Sequence, residues 1–264
     1  MWPPDGAGNT ARIGVLTVHL DPVPESELYT MAPTGVSIHA ARVPLGIVGP
    51  DGQIIPRVDP DVARAFSQPP EVDDAAALLT ALKPNAIIYA FTSSSYILGS
   101  EADKQLQARL QDRTGGIPIV IQTPSMVSAL RALESEHIAL IHPPWFSTEL
   151  DALGAEYFQK EGFDVVYHGS AQLRSDYGDI EPEQIFQWAK NEVPDNADTV
   201  VIGGGGFRAI GAIEALERSL GRPVLSANQA SFWCALSIAG VNDEIVGYGQ
   251  IFGIRPIPTR TVNK

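Results

Sequence analysis

The chain has 264 residues, of which 44% are hydrophobic, and it carries 31 acidic against 18 basic side chains for a formal charge of −13. This composition is typical of a soluble globular protein, and the charge disfavours nucleic acid and anionic membranes as partners, although a small anion can still bind locally. One cysteine, Cys234, excludes an internal disulfide and a site built from several thiolates. The five histidines form no metal-binding pair, so we expect no metal site.

No apolar run approaches the roughly 20 residues that a membrane span requires, so we expect no membrane association. The first residues also lack the succession of charged, apolar and small residues that is typical of a signal peptide. We therefore expect a cytoplasmic protein.

Apolar runs alternate with helical patterns along most of the chain. The predicted strands cover 13–18, 35–43, 85–91, 117–122, 137–142, 163–169, 199–204 and 222–227. Helical spacing of apolar residues predicts helices at 73–83, 101–111, 125–134, 148–162, 182–193, 207–221 and 229–240. Short apolar strands between helices of this length indicate βαβ units, so the predicted class is α/β with parallel sheets.

Residues 45–70 interrupt this alternation. They are rich in proline and glycine and predict a long loop or small excursion, which is suited to a lid or to an oligomer contact. A homo-oligomer therefore stays open.

The order of elements repeats in the two halves of the chain. The matching pairs are 13–20 with 137–144, 85–95 with 199–209, and 117–133 with 222–238. This repeat predicts two pseudo-symmetric, Rossmann-like lobes that face each other across an active-site cleft. We place lobe 1 at 1–122 plus 226–264, and lobe 2 at 123–225. Because ligands bind beyond the carboxyl ends of parallel strands, the loops there are the candidate site.

Four glycines, 203–206, follow the strand at 199–204. Gly204, Gly206 and Ala209 fit GxGxxA, but Ser226 stands where a dinucleotide site needs an acidic residue at the end of the next strand. A tight strand-to-helix turn and an anion cradle of backbone N–H groups at a helix N-terminus both remain open. The matching turn, TSSSY at 92–96, offers more hydroxyls than capping of the next helix, at Ser100, requires. Two such N-termini facing each other would hold a carboxylate or stabilise an enolate.

Groups that transfer protons are sparse at the predicted strand ends. His19, Asp21 and His142 are the candidates for acid–base chemistry. A histidine at a strand end is more often a structural hydrogen-bonding group, and Asp21 precedes Pro22, where it can shape a turn. No GxSxG motif is present, which disfavours a conventional serine hydrolase.

Four segments in this order resemble the aspartate/glutamate racemase superfamily, in the branch of maleate cis-trans isomerase and arylmalonate decarboxylase. The segments are FTSSSYILG (91–99), PPWFSTEL (143–150), IGGGGF (202–207) and VLSANQASFWCAL (224–236), followed by GYG (247–249). The resemblance spans residues 12–253. It implies an enzyme without a cofactor that holds a small carboxylate between its lobes.

The resemblance also implies roles for particular positions. The two family cysteines fall at or beside Phe91 and at Gly204, so both thiols are absent. Asp21 stands where isomerases have asparagine, and Trp145 where they have tyrosine. Thr92 and Ser93 match the hydroxyl pair of a dioxyanion hole, and Gly204 and Gly205 its amides. The remaining substrate-binding candidates are Ser94, Trp145 and Asn228.

The activity implied is that of a decarboxylase-type lyase that forms an enediolate without a thiol. His19 and Asp21 would then handle the proton, with His142 as a third candidate. A hydrolase or hydratase of a related carboxylate or cyclic imide, with Asp21 or His19 activating water, stays open, as does an isomerase. A carboxylate-binding module without activity is the alternative outside the enzymes.

Overall fold

Two four-stranded parallel sheets organise the chain. The structure is a computed structural model that describes residues 7–48, 54–55, 58–173 and 179–254. The strands of the sheets are β1 (Ala11–Val18), β2 (Val36–Val43), β5 (Ala86–Ala90), β6 (Ile119–Ile121), β7 (His137–His142), β8 (Asp164–Ser170), β9 (Thr199–Ile202) and β10 (Val224–Ser226). Their orders are β2-β1-β5-β6 and β8-β7-β9-β10. Each strand of one sheet has a counterpart at the same place in the other, which confirms the two-lobed α/β prediction.

Ten helices surround the sheets in the part of the chain that is described. They are α1 (Val23–Met31), α2 (Pro60–Phe66), α3 (Glu71–Leu79), α4 (Thr92–Leu98), α5 (Ser100–Arg113), α6 (Gln122–Ala132), α7 (Thr148–Lys160), α8 (Pro182–Glu192), α9 (Ile210–Leu220) and α10 (Ala227–Ile238). Two 3₁₀ turns cover Thr80–Leu82 and Gln250–Gly253. No helix among these is long and apolar enough to cross a membrane.

The core joins the two lobes. Helix α6 follows the first sheet but packs Met126 and Leu130 against Leu140 of the second sheet. Helix α10 follows the second sheet, and its Phe232 belongs to the cluster that contains Ile13 of the first. The lobes therefore share buried apolar residues at their junction. The boundaries of the two lobes, at 122 and 226, stay a prediction.

Three helices differ from the sequence prediction. Helix α1 was not expected. Residues 45–70 are more than a loop, because β3 (Ile47–Val48) pairs antiparallel with β4 (Ile54–Ile55) and the unexpected helix α2 follows. Helix α4 was predicted as a loop that leads to Ser100. Serine and threonine have low intrinsic helix propensity, and here burial of all five residues of TSSSY compensates for it.

The start of α9 also lies later than predicted. Residues 207–209 were assigned to a helix, but α9 begins at Ile210. Before it the chain turns, and the N–H of Phe207 donates to the carbonyl of Gly204 at 3.1 Å. The glycines therefore precede the helix by a turn and do not form its first residues, which favours the strand-to-helix turn among the two possibilities that the sequence left open.

Candidate active site

A cavity of about 330 Å³ lies where the carboxyl ends of β1, β5, β7 and β9 meet. Its walls come from both lobes and are largely apolar, as parallel-sheet ligand sites usually are. The apolar lining residues are Val18, Leu20, Leu45, Val58, Ala90, Phe91, Trp145, Phe146 and Leu150. The remaining lining residues are Asp21, Thr92, Ser93, Ser147, Gly204, Gly205 and Gly206. The cavity thus lies beyond the carboxyl ends of the strands, where the sequence analysis placed the candidate site. Six of the candidate residues line it.

The four hydroxyls of Thr92–Ser95 divide into two pairs. The Ser94 hydroxyl donates to the carbonyl of Phe91 at 3.0 Å, and the Ser95 hydroxyl donates to Asp103 at 2.8 Å. Thr92 and Ser93 instead line the cavity, at 2% and 3% exposure. Neither of their hydroxyls has a hydrogen-bond partner among the described residues. They remain available to a ligand, as do the amides of the first turn of α4. Ser94 does not line the cavity, and its predicted part in substrate binding stays a prediction.

The glycine turn faces this pair across the cavity. Gly204 has φ of +85°, and a Cβ there would lie 2.9 Å from the ring of Pro143. A Cβ on Gly203 would lie 2.6 Å from the ring of His142, and one on Gly205 would lie 3.1 Å from Gln122 Oε1. The packing around these three positions excludes or crowds a side chain, so close packing accounts for much of the glycine run.

Asn228 lies behind the glycine turn and not in the cavity lining. Its Nδ2 donates to the Gly205 carbonyl at 2.8 Å and to Glu27 at 2.7 Å, while its Oδ1 accepts from Gln122 at 2.7 Å. With its polar atoms engaged and 1% exposure, Asn228 does not reach a ligand. The prediction that it binds substrate directly is corrected to a supporting place, and neither Glu27 nor Gln122 was found from the sequence.

Asp21 is the one titratable side chain among the described lining residues. It is 3% exposed, and its Oδ1 accepts from the N–H of Val23 at 2.9 Å, at the beginning of α1. Arg42 holds the same loop by donating to the Asp21 carbonyl at 3.0 Å. No lysine, arginine or histidine belongs to the described lining, so neutral donors must hold an anionic ligand there.

His19 and His142 both lie outside the cavity lining. Nδ1 of His19 accepts a hydrogen bond from the N–H of Leu45 at 3.1 Å, which links the loop after β1 to the segment after β2. His142 is 0% exposed and stacks on Phe146, with ring centroids 5.1 Å apart. Neither histidine lines the cavity, so their role in acid–base chemistry stays a prediction.

His142 belongs to a buried hydrogen-bonded group in the second lobe. Its Nδ1 lies 2.6 Å from one oxygen of Asp151, and Nδ1 of His168 lies 2.6 Å from the other. Burial lowers the pKa of His142 despite the neighbouring carboxylate. Although burial opposes it, the two histidine hydrogen bonds hold the pKa of Asp151 below its ordinary value. Neutral His142 therefore donates through Nδ1 to an ionised Asp151.

Trp145 lines the cavity as predicted, and the same turn adds a polar group that sequence reasoning missed. Ser147 precedes α7, and its hydroxyl accepts from the N–H of Leu150 at 3.1 Å. A serine directly before a helical pattern is an ordinary N-cap signal. It places the N-terminus of α7 beside the cavity.

Comparison with known proteins agrees with this architecture. A family model described as arylmalonate decarboxylase matches residues 66–252. The chain belongs to the arylmalonate decarboxylase family. Arylmalonate decarboxylase of Bordetella bronchiseptica is 27% identical over 169 residues, which cover 61% of this chain and 68% of that protein.

Solved structures share the fold over nearly the whole chain. The maleate isomerase Iso of Pseudomonas putida S16, in a variant with maleate, superposes with a TM-score of 0.79 at 19% identity, covering 92% of this chain and 97% of that one. Unliganded arylmalonate decarboxylase superposes with a TM-score of 0.72 at 21% identity, covering 92% and 99%. The resemblance predicted from the sequence is confirmed at the level of family and fold.

One structural neighbour carries a covalent adduct on a cysteine. The maleate cis-trans isomerase of Nocardia farcinica, with a TM-score of 0.77 at 22% identity over 92% of this chain and 98% of that one, is known with a covalently bound succinylcysteine intermediate. In this chain Cys234 lies on α10, outside the cavity lining, and burial raises the pKa of its thiol to about 12. Phe91 lines the cavity and packs on Phe66, with ring centroids 4.4 Å apart. No thiol therefore belongs to the described lining.

Proposed function

We propose that this chain decarboxylates a small malonate-type dicarboxylate that carries a bulky apolar substituent, and that it does so without a thiol or a cofactor. The observation that carries the proposal is the cavity itself. The hydroxyls of Thr92 and Ser93, which have no hydrogen-bond partner among the described residues, line the cavity together with the glycine turn, apolar side chains and Asp21. Membership of the arylmalonate decarboxylase family supports the reaction class.

Neutral donors hold the carboxylate that the product keeps. The Thr92 and Ser93 hydroxyls and the neighbouring backbone amides donate hydrogen bonds to one carboxylate. Phe91, Trp145 and Phe146 offer an apolar surface for the substituent. The second carboxylate then lies in apolar surroundings, which favour its departure as uncharged CO₂.

The reaction balances with one proton from the protein. The bond between the α carbon and the departing carboxylate breaks, and its electron pair passes into the retained carboxylate as an enediolate. The hydroxyls and backbone amides stabilise this charge, which a pre-organised site does strongly. Asp21, as its carboxylic acid, gives a proton to the α carbon, and water restores the acid.

Hydrolysis or hydration is the second candidate reaction, and the presence of Asp21 in the cavity lining is the observation that favours it. An ionised aspartate that lines a cavity can activate water as a general base. The same cavity would then bind a related carboxylate or cyclic imide. A binding module without turnover would use the same donors but would need no Asp21.

The test is an assay of turnover over a matched panel. Phenylmalonate, maleate and a cyclic imide such as succinimide are each incubated with the protein, with and without a chelator, and CO₂ release and products are followed. The proposal expects CO₂ and phenylacetate from phenylmalonate alone, unaffected by the chelator. Ring opening of the imide would favour the hydrolase, and binding without turnover would favour the module. Loss of activity to the chelator would contradict the proposal of a reaction without a metal.

A further inference from the structure

We propose that Glu27 and Asn228 act as a positioning clamp, which spans the two lobes and turns the Gly206 N–H into the cavity as an additional donor to the bound anion. The clamp is defined by these two residues and by the Gly205 carbonyl that they hold. This inference rests on the proposed function for its kinetic consequences, but its geometry is independent of the reaction.

The first half of the clamp is a buried carboxylate. Glu27 lies on α1 in the first lobe and is 5% exposed. Its Oε1 accepts from the N–H of Ile210 at 3.1 Å, at the start of α9, and its Oε2 accepts from Asn228 Nδ2 at 2.7 Å. One side chain of the first lobe thus holds the start of α9, just after the glycine segment, in the second.

The second half is the Asn228 amide, whose two protons have different acceptors. One reaches Glu27, and the other reaches the Gly205 carbonyl at 2.8 Å. Gln122 Nε2 donates to Asn228 Oδ1 at 2.7 Å and so fixes which end of the amide is the donor. The Gly205 carbonyl is therefore held on the side away from the cavity, toward a residue that does not line it.

Peptide planarity turns this restraint into a statement about Gly206. In a trans peptide the carbonyl of one residue and the N–H of the next point in opposite directions. With the Gly205 carbonyl held toward Asn228, the Gly206 N–H points the other way, and Gly206 lines the cavity. Rotation of this peptide would replace a donor by a carbonyl oxygen, which repels an anion.

The electrostatics of Glu27 suit a positioning residue better than a stabilising one. No lysine or arginine of the described structure forms an ion pair with Glu27. Burial raises its pKa to about 7, although the hydrogen bonds from Asn228 and the backbone lower it. Both oxygens face donors, so only the ionised form satisfies the arrangement completely. A buried charge without a cationic partner is costly to the fold, and such groups are typical of functional sites.

The test exchanges the two partners. Glu27→Gln places an amide N–H₂ against that of Asn228, and Asn228→Asp removes both amide protons. The double variant Glu27→Gln/Asn228→Asp restores a hydrogen bond between positions 27 and 228, but it leaves the Gly205 carbonyl without the amide donor. Glu183→Gln, an exposed carboxylate-to-amide change on α8, is the matched control.

Two measurements are made on all four variants. Thermal unfolding reports whether the fold is kept, and turnover of phenylmalonate reports catalysis. We expect the double variant to recover stability relative to Glu27→Gln while its kcat stays about 10²-fold below the unmodified protein, the cost of one oxyanion donor. Recovery of kcat together with stability would overturn the clamp.

A spectroscopic measurement separates this outcome from failure of the proposed function. Phenylacetate is titrated into ¹⁵N-labelled protein, and the amide resonance of Gly206 is followed. We expect a large shift in the unmodified protein and in Glu183→Gln, and a loss of that shift in the double variant, whether or not phenylmalonate turns over. An unmoved Gly206 resonance in the unmodified protein, or an equal shift in all variants, would contradict the clamp.

Discussion

The turns after β5 and β9 occupy matching places in the two lobes and differ in what they offer. In the first lobe Thr92–Ser95 begins a helix at once, and two hydroxyls face the cavity while two are satisfied within the protein. In the second lobe the glycines offer only backbone groups to the cavity, and α9 does not begin until Ile210. The comparison shows that the repeat fixes where a turn lies but not which donors it presents.

The two turns also owe their sequences to different causes. The glycines are held by neighbours, since His142, Pro143 and Gln122 leave little or no room for a Cβ at Gly203, Gly204 and Gly205. At the hydroxyl turn, Thr92 and Ser93 have no comparable partner among the described residues. We therefore expect substitutions in the glycine turn to affect stability and catalysis together, and those at Thr92 and Ser93 to affect catalysis alone.

The largest expected effect comes from Asp21, which lies beside both turns. Asp21→Asn keeps an oxygen for the Val23 N–H and removes the proton donor, so we expect kcat for phenylmalonate to fall about 10³-fold with little change in the midpoint of thermal unfolding. Steady-state kinetics and calorimetry check this. A kcat within a few-fold of the unmodified protein would assign the proton transfer elsewhere.

Breaking the glycine turn comes next. Gly204→Ala requires a positive φ and meets Pro143, so we expect a loss of about 2–4 kcal/mol in the free energy of unfolding and about 10²-fold in kcat. Gly221→Ala is the matched control, because Gly221 has φ of +65° with no atom within 4 Å of its Cβ. The control should lose about 1–2 kcal/mol, from the backbone alone, and keep its kcat. Equal losses in both variants would show that the turn has no catalytic part.

Removing a hydroxyl tests the other turn without disturbing the fold. Thr92→Val preserves shape, and we expect kcat to fall about 10²-fold at unchanged stability. Ser94→Ala removes a hydroxyl that donates to the Phe91 carbonyl and should cost about 1 kcal/mol of stability with kcat nearly unchanged. Kinetics and denaturant unfolding of the pair measure both quantities. The reverse pattern would mean that Ser94, and not Thr92, faces the ligand.

The last prediction concerns the pH dependence that Glu27 adds to stability. Its pKa is raised from 4.5 to about 7, so the folded state binds more protons than the unfolded state within that window. The contribution of Glu27 to the free energy of unfolding is therefore greatest below pH 4.5 and declines as pH rises to 7. Asp103, whose pKa burial raises to about 6, adds a similar slope. Subtracting the free energy of unfolding of Glu27→Gln from that of the unmodified protein at each pH isolates the contribution of Glu27. Parallel curves of free energy against pH for the two proteins would contradict the prediction.

Much of the fold was readable because strands and helices carry distinct apolar periods. Asp21, Thr92, Ser93, Trp145, Gly204 and Gly205 could be placed together because each lies beyond the carboxyl end of a strand. Glu27 could not, since it contacts Asn228 across 201 positions and its short helix was not predicted. His142 ends its strand as the cavity residues do, and only the packing of Phe146 reveals that it is sealed. The apolar pattern of the sequence shows which residues lie at the ends of the strands. Burial and hydrogen-bond partners, which only the structure shows, decide which of those side chains can contact a ligand.

The central claim is decarboxylation without a thiol, and one measurement tests it most directly. Phenylmalonate is supplied in D₂O to the unmodified protein and to Cys234→Ser, and CO₂ and the deuterium content of the product are measured. The account predicts equal rates, with one CO₂ released and one deuterium added at the α carbon in each turnover. Absence of CO₂ from the unmodified protein, or loss of activity in a folded Cys234→Ser, would contradict it.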